Sequence, residues 1–254
     1  MPKYDPHPIV RQIDTLNAWL STDVPPGPAF IPMCYVINLQ KGGSLFFCLF
    51  LMDRYENYSA PALMYTVAHG SYGMLWCLKH ICFPDPKYFA KQTFFSIIVA
   101  VSLVLGPYWV APFLLISRSC PEPSTQRCAV ALFVYIIGVS IMMIADVWKY
   151  VQLKAKKGLI TEGPFSLVRH PNYAGEMMVY GAFAAMVPHW VPWMILAYVW
   201  TQLFLTNMLV KEASMSRYRG WGAYYRRTGM ILPWIPALLK RDTKEAAALP
   251  RKEA

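Results

Sequence analysis

Long apolar segments separated by short polar connections constrain the fold of this sequence more than any other feature. A helix needs about 20 mostly apolar residues to cross the hydrocarbon core of a bilayer. Segments of this kind are found at residues 30–52, 60–83, 93–117, 129–151 and 175–210. The last segment is too long for one upright helix, and Pro188 and Pro192 interrupt it where a helical hairpin would turn. We therefore predict an all-α, polytopic integral membrane bundle of about six transmembrane helices.

The charge composition supports a membrane protein and argues against a nucleic-acid-binding one. Hydrophobic residues make up 56% of the chain and charged residues 15%, whereas an ordinary soluble domain carries about 25% charged residues. The net charge of +10 comes from Lys and Arg that lie mainly between the apolar segments and in the tail. The first 28 residues are polar and rich in proline, so no cleaved signal peptide is expected.

Basic residues also predict the orientation of the bundle. The connection at 152–174 contains Lys154, Lys156 and Lys157, and the chain after Val210 is basic as well, so both should face the cytosol. With four spans before that connection, the amino terminus is cytosolic and the 118–128 loop is lumenal. Four regions follow. They are a cytosolic N-terminal segment (1–29), an N-terminal transmembrane half on the substrate side (30–128), a cofactor-binding membrane domain (129–239) and a mobile charged tail (240–254).

The six cysteines show no spacing typical of a metal site, and no metal is predicted. Cys120 and Cys128 flank the loop expected in the lumen, where a disulfide could form. The first apolar segment contains Gln40, Lys41, Gly42 and Gly43, which leaves open whether it is one span, two short pieces or only partly buried.

The stretch GLITEGPFSLVRHPNYAGE at 158–176 indicates an anion site at the membrane surface. Pro171 is suited to the first turn of a helix, and Arg169 and His170 stand immediately before it. Free N–H groups and the helix dipole at such a position favour a phosphate or a carboxylate. The alternative is that the arginine and the histidine only anchor the helix to lipid headgroups.

Three further polar residues follow on that helix, where Tyr173, Glu176 and Tyr180 recur at helical spacing and share one face. An acid entering the membrane is costly unless it is paired or wetted, so Glu176 and Tyr180 are candidate catalytic residues. If the helix is only an anchor, the tyrosines instead form an interfacial belt.

Two more clusters surround this stretch. In KEASMSRYRGWGAYYRRTG at 211–229, Arg226 and Arg227 are suited to phosphates and Tyr225 could stack on a base. An amphipathic interfacial helix is the alternative for this cytosolic C-terminal segment. Asp146 and Lys149, one turn apart near the end of the fourth span, are either a functional pair or a simple helical ion pair.

These motifs together resemble a known family. RHPNYAGE at 169–176, ADVWK at 145–149, Glu212 and YYRRTG at 224–229 are similar to the C-terminal domain of steroid 5-alpha-reductase-like membrane proteins. The same superfamily includes sterol C14 reductases, isoprenylcysteine carboxyl methyltransferases and phospholipid methyltransferases. The resemblance covers roughly residues 130–236, and it implies a cytosol-facing pocket that holds NADPH in reductases and S-adenosylmethionine in methyltransferases. By position, the implied cofactor contacts are Asp146, Lys149, Arg169, His170, Asn172, Tyr173, Glu212 and Arg227.

The motif HGSY at 69–72 is the nearest counterpart to the histidine–tyrosine pair of such reductases, and it adds His69 and Tyr72 to the candidate catalytic residues. A buried tyrosine could polarise an enone carbonyl and supply a proton. The alternative is that Gly70 and Gly73 form a close helix-packing surface.

The resulting functional prediction is an NADPH-dependent reductase of a carbon–carbon double bond in a sterol, steroid or other membrane lipid. The resemblance suggests the endoplasmic reticulum as its location. Two alternatives remain: an S-adenosylmethionine-dependent methyltransferase acting on a prenylcysteine or a phospholipid, and a noncatalytic membrane subunit that retains the fold.

Overall fold

The computed structural model describes residues 6–22 and 27–233. The predicted tail at 240–254 and part of the predicted N-terminal segment lie outside these residues. The α-helices are α1 (Pro8–Thr22), α2 (Met33–Arg54), α3 (Ala60–Cys82), α4 (Phe94–Ala100), α5 (Val110–Ile116), α6 (Thr125–Ala155), α7 (Pro171–Met186), α8 (Trp190–Val199), α9 (Thr206–Met215) and α10 (Trp221–Arg227). Short 3-10 helices lie at Pro86–Phe89, Gly106–Trp109 and Gly163–Ser166, and π-helical turns lie at Val101–Leu105 and Trp200–Leu205. The two-residue strands β1 (Ile31–Pro32) and β2 (Lys91–Gln92) pair antiparallel, so the all-α prediction holds apart from this short ribbon.

Four helical segments are long and apolar enough to cross a membrane, which fits an integral membrane protein. They are Met33–Arg54, Phe94–Ile116, Thr125–Ala155 and Trp190–Met215. The two other predicted spans are helical but do not meet that standard. Helix α3 has 23 residues but includes polar side chains such as His69 and Lys79, and α7 has only 16 residues. The total of six spans therefore stays a prediction.

The first three long helices run in alternating directions through the bundle. The β1–β2 ribbon joins the start of α2 to the start of the Phe94–Ile116 segment at one end. At the other end, the Asn57 side chain, between α2 and α3, donates a hydrogen bond to the carbonyl of Ile116. Helix α3 connects these two ends, so it traverses the bundle although it is less apolar than its neighbours.

Helix α2 is continuous through the polar interruption at 40–43, so the two-piece alternative is wrong. Gln40 and Lys41 are buried on this helix. A Cβ atom at Gly73 of α3 would collide with the carbonyl of Lys41, so the absence of a side chain at Gly73 allows the two helices to pack backbone to backbone. This close approach fixes the direction in which the Lys41 side chain enters the bundle.

The predicted helical hairpin in the last apolar segment is present, but its turn is shorter than expected. Helix α7 ends at Met186 and α8 begins at Trp190, so Pro188 lies in the turn. Pro192 does not break the chain, because it lies in the first turn of α8, where a missing N–H costs no helical hydrogen bond.

The two predicted transmembrane halves share one core. Helices α6 and α7 are in contact through Gly138 and Gly175, where added Cβ atoms would lie 2.8 Å and 2.5 Å from the carbonyl oxygen of the other glycine. Buried residues from α3, such as Tyr65 and Tyr72, pack in the same cluster as Phe183 of α7. The disulfide that the sequence left open between Cys120 and Cys128 is not formed, and both residues are free thiols.

Candidate functional site

A cluster of four polar side chains lies inside the helical bundle. We call this set, made of Lys41, Tyr72, Glu176 and Tyr180, the buried polar cluster. The Lys41 ammonium donates hydrogen bonds to the Tyr180 hydroxyl and, at 3.3 Å, to the Tyr72 hydroxyl. The Tyr72 hydroxyl lies 3.4 Å from Oε1 of Glu176, to which it donates, and 3.5 Å from the Tyr180 hydroxyl. Three of the four predicted catalytic residues are therefore brought together, with a lysine that was not predicted.

Aromatic rings surround the Lys41 ammonium. Its Nζ atom lies 4.7 Å from the ring centroids of Tyr72 and Tyr180, 4.8 Å from that of Trp76 and 5.4 Å from that of Tyr108. Aromatic faces attract a cation through their quadrupoles, more strongly where water is excluded. The Tyr108 and Tyr180 rings stack at 4.2 Å and hold the phenol of Tyr180 in place. The charge is thus stabilised by rings and phenols rather than by a carboxylate in direct contact.

His69, the fourth predicted catalytic residue, lies beside the buried polar cluster but not in its hydrogen bonds. Its ring stacks on Phe183 with centroids 4.6 Å apart and meets the edge of Tyr65. Its Nδ1 atom is buried and has no hydrogen-bond partner among the described residues. The packing alternative for this part of α3 is confirmed at Gly70 and Gly73, which are both in close contact with α2.

Charged side chains gather where α3, α6 and α9 end, next to the buried polar cluster. We call the four lysines of this region, Lys79, Lys87, Lys149 and Lys211, the lysine rim. The Nζ atom of Lys149 is 3.5 Å from the Asp85 carboxylate, and Lys211 donates a 3.0 Å hydrogen bond to the Tyr173 hydroxyl. Lys79 and Lys211 both interact electrostatically with Glu176, so the lysine rim lies near the buried polar cluster.

Asp146 and Lys149 lie in this region as predicted, but they do not pair with each other. Asp146 forms an ion pair with Lys79 of α3, and Lys149 pairs with Asp85. The alternative of a simple helical ion pair is therefore wrong, because each residue pairs with a side chain from another segment. Burial alone would raise the pKa of Asp85, but Lys149 and the backbone N–H of Lys87 hold that pKa below its ordinary value.

A second charged site lies at the start of α7, where Pro171 opens the helix as predicted. The Arg169 guanidinium is 6% exposed and does not point to an open anion site. Its Nε atom donates a 2.6 Å hydrogen bond to Oε1 of Glu212, and its NH1 group donates to the carbonyl of Thr228. Because the guanidinium is already bonded to groups of the protein itself, Arg169 contributes to the stability of the fold.

His170 belongs to the same internal site. Its Nε2 atom lies 3.4 Å from Oε1 of Glu212. Burial lowers the pKa of His170, although the neighbouring Glu212 carboxylate opposes that shift. The backbone N–H groups of Arg169 and His170 donate to the carbonyls of Gly229 and Met230, so the C-terminal segment is held against the start of α7.

The remaining predicted cofactor residues are more accessible. Asn172 is half-buried in the first turn of α7, and Tyr225, Arg226 and Arg227 are exposed on α10. The Tyr225 ring lies under the Arg169 guanidinium at 4.2 Å, and Arg227 donates to the carbonyl of Thr161. Within the predicted C-terminal segment at 211–229, residues 211–215 belong to α9, and α10 folds back onto the α6–α7 connection.

Sequence reasoning missed most of the lysines that define the site. Lys41 was recognised only as an interruption of a span, and Lys79, Lys87 and Lys211 were not singled out. One signal could have identified Lys41 and Lys79, because an ionisable residue within an apolar segment is a functional candidate by default.

Comparison with known proteins places these residues in a family. Residues 85–228 match the model of a family described as a protein of unknown function (DUF1295). The chain belongs to this family. An uncharacterized protein of Schizosaccharomyces pombe (strain 972 / ATCC 24843) is 29% identical over 86 residues, which cover 31% of this chain and 30% of the relative. The chain thus matches less than a third of that relative's length. No solved structure matches the chain.

Proposed function

We propose that this protein is an NADPH-dependent reductase of a carbon–carbon double bond in a membrane lipid such as a sterol or a steroid. The observation that carries the proposal is the buried polar cluster next to the lysine rim, because it pairs a proton donor with an anion-binding surface. The resemblance of residues 130–236 to steroid 5-alpha-reductase-like proteins supports the same activity. It also supports a location in the endoplasmic reticulum with the cofactor site facing the cytosol.

The lysine rim suits the anionic part of NADPH. The cofactor carries a pyrophosphate and a further phosphate, and the rim offers four lysines, of which Lys79 and Lys149 are ion-paired with Asp146 and Asp85. Glu176 and Asp14 also interact electrostatically with the rim. Lys149 and Lys211 would bind the phosphates of NADPH. Tyr173, beside Lys211, would contact a ring of the same cofactor. Arg169 is not assigned this role, because its guanidinium is buried as well as bonded to Glu212 and Thr228. The Lys149 side chain, by contrast, is 30% exposed beside Asp85. Bound NADPH would supply the hydride.

The buried polar cluster would supply the proton. Because the Tyr180 hydroxyl accepts a hydrogen bond from Lys41, its own proton is free to be donated to the carbonyl oxygen of an enone. The Lys41 ammonium would stabilise the phenolate that this donation leaves. Tyr72, whose hydroxyl lies 3.5 Å from the Tyr180 hydroxyl, would then pass its proton to the phenolate, and Glu176 in its protonated form would return a proton to Tyr72.

Cofactor binding tests the proposal directly. A ligand that binds the folded protein raises its thermal stability, so NADPH and S-adenosylmethionine should be added separately to the detergent-purified protein. We expect NADPH to raise the thermal unfolding midpoint of the wild-type protein, and to raise it less in Lys149→Met and Lys211→Met. Lys91→Met should retain the wild-type increase, because Lys91 is an exposed lysine outside the rim. A shift with S-adenosylmethionine alone would favour the methyltransferase. No shift with either would leave the noncatalytic subunit as the better description.

A further inference from the structure

An apolar groove runs along the outer face of α6, away from the buried polar cluster. It has a volume of about 410 Å³ and is lined by Met143, Ile144, Val147, Trp148, Val151 and Gln152. Ligand pockets have volumes of about 300 to 1,000 Å³, so the groove is large enough for part of an extended molecule. Ile144 and Val151 are more than half exposed within a segment apolar enough to span a membrane.

One residue that lines the groove, Trp148, is in contact with a turn in the α6–α7 connection. Gly163 has a positive φ of 57°, and a Cβ atom there would lie 2.5 Å from the indole of Trp148. The turn therefore packs directly on the Trp148 ring and holds it in place. The indole Nε1 of Trp148 is enclosed by the protein and has no hydrogen-bond partner in the described part of the chain, so the ring contributes apolar surface to the groove.

Positive charge lies at the end of the same face. Ile144, Val147, Val151 and Lys154 are spaced by three and four residues, so the lysine continues the apolar stripe. Lys156 and Lys157 follow where the helix ends, and all three lysines are exposed. None of them forms an ion pair with a residue that the structure describes. Glu162 is an exposed acid of the adjacent connection.

We propose that this groove binds an anionic phospholipid, with an acyl chain along the Ile144–Val151 face and the phosphate beside Lys154. Clusters of lysine next to a membrane span attract anionic headgroups by about 1 kcal/mol per residue. A second copy of the chain fits the groove less well. Two copies inserted in the same direction would bring both sets of three exposed lysines to one depth in the membrane, and Glu162 of each copy would offset only part of the repulsion between like charges.

The test compares lipids and matched variants in the purified protein without any cofactor. Thermal unfolding is measured in detergent with added phosphatidylglycerol or with the same amount of phosphatidylcholine. Lys154→Gln removes the charge, and Val147→Trp fills the groove. Lys91→Gln and Val130→Trp are the controls, because Lys91 is an exposed lysine outside the groove and Val130 is an exposed position at the other end of α6.

We expect phosphatidylglycerol to stabilise the wild-type protein more than phosphatidylcholine does. Its apparent affinity should fall about fivefold in Lys154→Gln, as expected for about 1 kcal/mol, and by at least as much in Val147→Trp. Both controls should keep the wild-type affinity. Equal stabilisation by the two lipids, or an equal loss in Lys91→Gln, would overturn the proposal. A change of oligomeric mass in Val147→Trp, measured by light scattering, would instead assign the groove to a second copy.

Discussion

Arg169 and Glu212 form a buried ion pair in which the arginine Nε and the carboxylate Oε1 are 2.6 Å apart. The pair joins the segment before α7 to α9, across 43 residues of sequence. Thr228 and Tyr225 accept further hydrogen bonds from the same guanidinium, so three separate segments meet at one side chain. The pair therefore organises the C-terminal part of the fold, next to the lysine rim.

Removing one partner of this pair should destabilise the protein strongly. Arg169→Ala leaves the Glu212 carboxylate buried without its counter-charge, which costs about 3 to 5 kcal/mol in comparable sites. Arg226→Ala is the control, because Arg226 is exposed on the neighbouring helix and should change the free energy of unfolding by less than about 0.5 kcal/mol. Denaturant unfolding in detergent measures both. Similar values for the two variants would contradict the structural role of Arg169.

The pH dependence of stability should report His170. Its pKa is lowered in the folded protein, chiefly by burial, so the unfolded chain binds this proton at a higher pH than the native state does. The contribution of His170 to the free energy of unfolding is fully present above its pKa in the unfolded chain, about 6.5, and is lost as the pH falls below that value. We expect the unfolding midpoint to decrease from pH 7 to pH 5, with a smaller slope in His170→Gln. An unchanged slope in that variant would contradict the assignment.

The sequence predicted local features of the fold well. The helical segments follow from apolar length, and the start of α7 follows from Pro171, whose ring and missing N–H suit a first helical turn. The shared face of Tyr173, Glu176 and Tyr180 follows from helical spacing. These predictions depend on residues near each other in the chain, where the geometry of one helix decides the outcome.

Pairings between distant segments could not be predicted in the same way. Lys41 bonds to Tyr180 across 139 residues, and Asp146 selects Lys79 across 67 residues rather than Lys149 on its own helix. The direction of Arg169 was equally open, because a phosphate and a carboxylate both satisfy a guanidinium and the sequence contains no information on which one is closer. Spacing identifies which residues carry charge, and only the packing of helices determines their partners.

Because α2 packs closely on α3, we expect that adding a single methyl group at Gly73 destabilises the protein. Gly73→Ala places a Cβ atom against the carbonyl of Lys41, and overpacking of this kind costs about 1 to 3 kcal/mol. Gly158→Ala is the matched control, because nothing lies within 4 Å of a Cβ atom at Gly158. Thermal unfolding should show a clear decrease of the midpoint in Gly73→Ala and none in Gly158→Ala. Equal midpoints would mean that α2 and α3 are farther apart than the structure places them.

The Lys41 ammonium gives the sharpest test of the proposed chemistry, since its effects on stability and on turnover should have opposite signs. Lys41→Met keeps the length of the side chain and removes a charge that is costly to bury, so the protein should be as stable as the wild type or more stable. NADPH oxidation with an alkyl enone should nevertheless fall by about 100-fold or more, because Tyr180 then donates its proton without a neighbouring cation. Gln40→Met, at an equally buried position on the same helix, is the control and should retain turnover. A large loss of stability in Lys41→Met would show that the lysine holds the fold together, and full turnover would show that Tyr180 does not depend on its charge.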